Sequence, residues 1–146
     1  MIKKIAELLK KYKEIIMYLF FGVTTTLVNW VVYTPLVNVL DVNATVANGA
    51  AWFVAVVYAY ITNKLFVFES KSWKANVIVK EIIAFFGARV ASGIFEIFLP
   101  EILMKLGLNQ TFFEIEGGVA KIVVSVLVIV LNYIFSKLFV FRKKKN

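Results

Sequence analysis

Two ionisable side chains, Arg89 and Glu96, stand inside a long apolar segment of the sequence. They are seven positions apart, which places them on one face of a helix, about 10 Å from each other. A charge at the bilayer centre costs roughly 2.5–3.5 kcal/mol on insertion scales, so each predicts a polar partner inside the protein. The candidate partners are Asn29, Lys121 and Asn132. We interpret the set as a polar path or an anion site; the alternative is an interhelical clamp that only fixes packing.

Two further basic residues, Lys64 and Lys137, occupy matching places near the ends of two other apolar segments. Asn63 precedes the first and Ser136 precedes the second. A lysine ammonium beside a hydrogen-bond donor can hold a phosphate group, and this is our hypothesis for both pairs. The simpler alternative is that both lysines extend to the membrane interface to reach water.

The composition excludes several kinds of chemistry. The chain of 146 residues contains no Cys and no His, so a thiolate nucleophile, a disulfide and an imidazole base are all ruled out. Glu96 is the one acid expected at membrane depth, which leaves a paired-carboxylate mechanism without its second member. The sequence has no nucleotide-binding loop or metal-ligand motif. We therefore expect no cofactor and no metal, and we do not expect an enzyme.

The elements that must position these residues are membrane spans. Apolar residues make up 61% of the chain, against about 45–50% in an average soluble domain. A spanning helix needs roughly 20 mostly apolar residues. Four segments qualify, namely 15–40, 46–68, 81–104 and 118–141. The sequence predicts an all-α integral membrane protein with one domain, 1–146, in which 3–13 form a short amphipathic helix and Pro35 kinks or ends the first span.

The basic residues predict the orientation of the spans. The formal net charge is +8, and Lys and Arg concentrate in the N-terminal arm, in the second connection and at 142–145. Because cytoplasmic flanks carry an excess of Lys and Arg, both termini are predicted to be cytoplasmic. Basic residues at the ends of apolar runs favour the membrane lipid, and not nucleic acid, as the partner. Below, "inner" denotes the end of a span that is predicted to face the cytoplasm.

The chain also repeats itself. Residues 60–68 and 133–141 are identical at seven of nine positions, at an offset of 133 − 60 = 73. A weaker match joins Phe-Phe-Gly at 20–22 with Phe-Phe-Gly at 85–87, and Pro35 with Pro100, at an offset of 85 − 20 = 65. These matches predict two parallel-duplicated helix pairs, with an insertion in the second outer loop. Alanines four apart, at 47, 51, 55 and 59, are interpreted as a packing stripe that lets two helices approach closely.

The sequence resembles the GtrA-like family over nearly its whole length. The resemblance is carried by Phe-Gly-Val-Thr-Thr-Thr-Leu-Val-Asn at 21–29, Asn-Lys-Leu-Phe-Val-Phe at 63–68 and Asn-Tyr-Ile-Phe-Ser-Lys-Leu-Phe-Val-Phe at 132–141. It implies a small four-span protein of the bacterial cytoplasmic membrane, involved in cell-surface polysaccharide or teichoic acid glycosylation. The family usually has Asn where Ala59 stands and often Asp where Asn29 stands, so the resemblance transfers no role to those two positions.

What the resemblance implies about function is translocation of polyprenyl phosphate, or of a sugar linked to it. In this hypothesis the phosphate is received near Lys64 and Lys137, passes Arg89 and is released near Lys121. Because four helices make a narrow bundle, a homo-oligomer is a further expected partner.

The first alternative is a non-transporting subunit that anchors or activates a membrane glycosyltransferase. The second is a small ion or metabolite carrier, which the scarcity of intramembrane carboxylates disfavours.

Overall fold

The protein is built from long helices. The computed structural model describes residues 2–112, 114 and 116–142. The helices are α1 (Ile2–Asn38), α2 (Ala44–Thr62), α3 (Ala75–Lys105) and α4 (Gly118–Phe135). All four are long and apolar enough to cross a membrane, which confirms the predicted all-α fold with four spans. The basic tail positions 143–145, which contributed to the predicted orientation, lie outside the described residues.

Helix α1 differs from the prediction at its N-terminal end. Residues 3–13 are helical, but they continue directly into the first span instead of forming a separate surface helix. The physical reason is that no Gly or Pro interrupts the chain before Gly22. A helix of 37 residues is about 55 Å long, whereas the hydrocarbon core is about 30 Å thick. Pro35 lies inside α1, where its missing N–H leaves the Val31 carbonyl without the usual helical partner, and the helix ends three residues later at Asn38.

The chain forms two compact units, residues 1–73 and 74–146. In the first unit α1 packs against α2, and in the second α3 packs against α4. The helices of each pair meet along a buried stripe with a spacing of four residues. In α2 the stripe is Ala47, Ala51, Ala55 and Ala59, and in α4 it is Ala120, Val124, Val128 and Asn132. The alanines are therefore packing residues, as predicted, and the second stripe repeats the first at the offset 120 − 47 = 73.

Helices α2 and α4 both end in a wider helical turn. Residues Asn63–Val67 and Ser136–Val140 are π-helical, and we call them the first and second π turns. In the first, the backbone N–H of Phe68 donates to the carbonyl of Asn63 at 2.9 Å, and in the second Phe141 donates to Ser136 at 2.9 Å. Such turns are rare and occur frequently at functional sites. The most strongly repeated motif of the sequence thus forms the same unusual backbone twice.

Each π turn is followed by a phenylalanine that packs on the first helix of its own unit. The Tyr18 and Phe68 ring centres are 6.4 Å apart at 56°, and those of Phe85 and Phe141 are 6.2 Å apart at 56°. Since Phe68 and Phe141 are equivalent by the offset of 73, Tyr18 and Phe85 are equivalent as well. The offset between α1 and α3 is therefore 85 − 18 = 67.

The predicted offset of 65 between these helices is two residues out of register. It would make Ile83, which is 68% exposed, the equivalent of Tyr18, which is buried. The offset of 67 instead aligns 13–16 with 80–83, which both read Lys-Glu-Ile-Ile. The Phe-Phe-Gly match misled because phenylalanine is abundant in this chain. The corrected register leaves an insertion of 73 − 67 = 6 residues between α3 and α4.

Candidate functional site

Lys64, on the first π turn, has no solvent-exposed surface. Its ammonium donates a hydrogen bond to the Ser70 hydroxyl at 3.1 Å and lies 5.3 Å from the centre of the Trp73 ring. Burial of an ammonium is costly unless an oxygen or an aromatic face compensates the charge. Both kinds of compensation come here from the short segment that follows the π turn. Lys64 is therefore not a lysine that reaches freely into water.

A pocket of about 440 Å³ opens beside this lysine, and we call it the inner pocket. This volume lies within the roughly 300–1,000 Å³ that is usual for ligand sites. Its lining combines cations and a hydroxyl with an apolar wall, in which Phe66 stacks on Phe21 at 5.4 Å. The lining residues are Lys13, Met17, Leu65, Phe66, Glu69, Ser70, Lys71 and Trp73. Such a surface fits a molecule that has an anionic head and an apolar tail.

The cations of the inner pocket are not equivalent. The Lys13 ammonium and the Glu69 carboxylate are 3.1 Å apart, and both side chains are more than half exposed. An exposed pair of this kind contributes about 0–1 kcal/mol, so its main effect is to hold the segment after the π turn against α1. Lys71 makes no ion pair within the described part of the chain. Lys71 is thus the cation of this pocket that is available to an anion.

Asn63 is buried beside Lys64 in the sequence, but its amide faces its own helix. The side-chain N–H donates to the Ala59 carbonyl at 2.7 Å. The amide oxygen is buried and, among the residues that the structure describes, has no hydrogen-bond partner. The hypothesis that Asn63 donates to a phosphate therefore has no support from this arrangement. The unpaired oxygen accepts hydrogen bonds and is suited to a hydroxyl or an ammonium group.

The second π turn carries the equivalent pair in a different environment. Ser136 is buried, whereas Lys137 is exposed. The Lys137 ammonium donates to the Tyr133 hydroxyl at 3.3 Å and lies 5.5 Å from the Tyr133 ring centre. Lys64 is covered by the segment that follows its turn, whereas Lys137 contacts a residue one helical turn earlier. The repeated sequence therefore yields one buried and one exposed lysine.

The charged residues of α3 do not pair with each other. The Arg89 guanidinium is half-buried and lies 5.2 Å from the centre of the Phe85 ring, one turn earlier. Glu96 and Lys121 are exposed, while Asn132 is buried in the α4 stripe. Within the described residues, Arg89, Glu96 and Lys121 make no ion pair. The second unit therefore does not bring its candidate residues together in one cluster.

The offsets of 67 and 73 pair polar residues near the outer ends of the two units. Asn29 is equivalent to Glu96, since 96 − 29 = 67, and Asn48 is equivalent to Lys121, since 121 − 48 = 73. In the first unit Asn29 and Asn48 line one pocket of about 510 Å³, which we call the outer pocket. The first unit thus carries two neutral amides where the second carries opposite charges.

Several residues of these sites were missed by the sequence prediction. Ser70 and Trp73 lie in a loop and gain importance only by folding over Lys64. Asn48 corresponds to Lys121 at the offset of 73 that the sequence already shows, so that offset was the signal that could have found it. Glu81, in the Lys-Glu-Ile-Ile motif at 80–83, is a buried acid with partners of its own. Its position at the edge of a predicted span gave no indication of burial.

Comparison with known proteins identifies the family. Residues 17–141 match the GtrA/DPMS transmembrane domain. The membrane protein YwcD of Bacillus subtilis is 38% identical over 131 residues, which cover 89% of this chain and 98% of that protein. The cell wall teichoic acid glycosylation protein GtcA of Listeria innocua is 37% identical over 135 residues, which cover 90% of this chain and 87% of that protein. GtcA of Listeria monocytogenes serovar 1/2a is 38% identical with the same coverage. The chain therefore belongs to the GtrA/DPMS transmembrane-domain family and is a multi-pass bacterial membrane protein.

Proposed function

We propose that this protein moves polyprenyl phosphate, or a sugar linked to it, across the cytoplasmic membrane. The names of the Listeria relatives support teichoic acid glycosylation as the pathway that uses the sugar. The observation that carries the proposal is the inner pocket, in which Lys71 adjoins an apolar wall, while the buried Lys64 lies directly behind the lining residues Ser70 and Trp73. This combination is what a lipid phosphate requires at the surface where it enters.

The inner pocket supports a specific order of contacts. Lys71 attracts the phosphate, and Lys64 then exchanges its neutral hydrogen bond to Ser70 for a charge-assisted bond to a phosphate oxygen. The apolar wall formed by Met17, Leu65 and Phe66 receives the first part of the tail. The rest of the tail stays in lipid, where its transfer costs nothing. The headgroup is the only part whose desolvation the protein must offset.

The second unit supplies the charges for later steps of this proposal. Arg89 is the cation at membrane depth, and its contact with Phe85 leaves the guanidinium N–H groups available to a phosphate. Glu96 limits how tightly Arg89 holds the anion, and Lys121 assists release at the outer end. At the inner end, Ser136 and Lys137 form a second reception point, with Asn132 as a neighbouring donor. A homo-oligomer is proposed to complete the path.

The direct test is transport by the purified full chain in liposomes. A fluorescent polyprenyl-phosphate-linked glucose is incorporated into the liposome membrane. A membrane-impermeant quencher then measures how much of the labelled lipid moves from the inner to the outer leaflet. We expect exchange well above that of protein-free liposomes, and a loss of about tenfold or more for Arg89→Ala. The matched control is Arg142→Ala, which removes an exposed arginine beyond the second π turn and should transport like the parent.

The same assay separates the proposal from its alternative. A parent chain that exchanges lipid no faster than protein-free liposomes, yet co-purifies with a membrane glycosyltransferase, would establish the anchoring subunit and refute the carrier. An Arg89→Ala variant that transports like the parent would remove Arg89 from the route.

A further inference from the structure

We propose that the outer pocket of the first unit binds the uncharged sugar of the lipid-linked substrate. This inference rests on the proposed function and adds a second binding site to it. The pocket lies at the outer end of the α1–α2 pair and measures about 510 Å³. Six residues line it, namely Asn29, Trp30, Tyr33, Ala44, Thr45 and Asn48.

The first argument is the set of unpaired polar groups. The side chains of Asn29, Tyr33 and Asn48 make no hydrogen bond with any residue that the structure describes. Asn29 precedes the end of α1 by nine residues, and Asn48 follows the start of α2 by four, so they lie about 14 Å and 6 Å inside the outer helix ends. Polar groups at such depth are costly without partners. A ligand rich in hydroxyl groups supplies partners, since each amide both donates and accepts.

The second argument is the absence of charge. None of the residues that line the outer pocket is Asp, Glu, Lys or Arg, whereas the inner pocket contains Lys13 and Lys71. A phosphate therefore finds counter-charges in the inner pocket and none in the outer one. Trp30 is 65% exposed and offers the flat aromatic face that packs against the C–H groups of a sugar ring. The lining thus selects an uncharged, hydroxylated ring.

The third argument is the divergence between the two halves. The positions of Asn29 and Asn48 are occupied by Glu96 and Lys121 in the second unit. Because the packing stripes and π turns are repeated in both units, this difference lies in the lining of the outer end and not in the scaffold. The neutral pair belongs to the first unit alone. Sugar binding is accordingly assigned to the first unit.

The tryptophans of the chain allow a direct test. Trp30 lines the outer pocket, Trp73 lines the inner pocket, and Trp52 lines neither. Two reporters are made by replacing the other two tryptophans with Phe, so that each full-length chain keeps Trp30 or Trp73 alone. Both are titrated in detergent with citronellyl phosphate and with citronellyl-phosphate-linked glucose, and the tryptophan emission is followed.

We expect the Trp73 reporter to respond to both lipids and the Trp30 reporter to respond to the glucosylated lipid alone. Asn29→Leu and Asn48→Leu should each weaken the Trp30 response to the glucosylated lipid about tenfold. Neither should change the response of the Trp73 reporter to citronellyl phosphate, which also shows that the variants are folded. The matched control is Val31→Ala, an exposed α1 residue outside the pocket lining, which should leave the Trp30 response unchanged.

The two proposals fail in different ways. A Trp30 reporter that is silent, or that responds equally to both lipids, overturns the sugar site even when the Trp73 reporter binds the phosphate normally. A Trp73 reporter that ignores both lipids contradicts the proposed phosphate entry, and the Trp30 titration still decides the sugar site.

Discussion

At the scale of single residues, the environment of Lys64 distinguishes the two halves of the molecule. Lys64 and Lys137 occur in the same repeated motif, on the first and second π turns respectively. Lys64 is nevertheless fully buried against Ser70 and Trp73, while Lys137 is exposed beside Tyr133. In the first unit this burial comes from Ser70 and Trp73, which follow the turn. A lysine already buried beside a pocket has lost most of its hydration before any ligand arrives.

The hydrogen bond from Lys64 to Ser70 predicts a measurable effect on stability. Ser70→Ala removes an oxygen that compensates a buried ammonium, and such bonds to charged groups contribute about 1.5–3 kcal/mol. We expect a lower thermal unfolding temperature in detergent. Ser72→Ala is the matched control, because Ser72 is a half-buried serine of the same segment without that bond. Equal unfolding temperatures for the two variants would show that Ser70 does not stabilise the buried charge.

At the scale of the elements, the small-residue stripe sets how closely α1 and α2 approach. Ala47 and Ala51 have no exposed surface, and the equivalent Ala120 and Val124 have none either. Tyr58 adds an interhelical hydrogen bond, donating to the Thr24 hydroxyl at 3.0 Å. Since lipid provides no hydrophobic driving force between spans, close packing and such hydrogen bonds hold the pair together.

Enlarging one residue of the stripe should separate the two helices. Ala47→Leu inserts three carbons into a site with no free surface, and overpacking of this kind costs about 1–3 kcal/mol. The measurement is thermal unfolding in detergent. Val46→Leu, at a 63% exposed position one residue away, is the control and should leave the unfolding temperature unchanged. An unfolding temperature for Ala47→Leu equal to that of the control would contradict the packing role.

The glycine before α4 predicts a second element-scale effect. Gly117 has φ of +66°, and a Cβ atom there would overlap the Met104 side chain. Gly117→Ala should therefore destabilise the second unit by about 1–2 kcal/mol. Gly93→Ala is the control, since a Cβ atom at that helical glycine meets nothing within 4 Å, and it should be neutral or slightly stabilising. The check is denaturant or thermal unfolding of both variants side by side.

The sequence predicted the spans and the packing stripe because both follow from hydropathy and from residue spacing. It did not predict the π turns, because the backbone hydrogen bond from Phe68 to Asn63 does not change the spacing of the apolar residues. The offset between α1 and α3 was wrong by two residues because common aromatic residues outweighed a rarer charged motif. The burial of Lys64 was beyond prediction because it depends on how a loop folds back.

At the scale of the whole molecule, the chain is a duplicated helix pair whose two copies have diverged at both ends. At the inner ends both units have a lysine at the equivalent position, and Lys64 is buried while Lys137 is exposed. At the outer ends Asn29 and Asn48 correspond to Glu96 and Lys121. The scaffold has been kept in both units while the polar groups have changed. The proposed transport function predicts such a pattern, with each copy taking a different part in it.

The measurement that tests the central claim most directly compares the two equivalent lysines in the liposome transport assay. Lys64→Met and Lys137→Met each remove the charge and keep a chain of similar length. We predict that Lys64→Met lowers the exchange of polyprenyl-phosphate-linked glucose about tenfold or more, while Lys137→Met has a clearly smaller effect. Transport by Lys64→Met at the parent rate, or a greater loss in Lys137→Met, would contradict phosphate entry at the inner pocket.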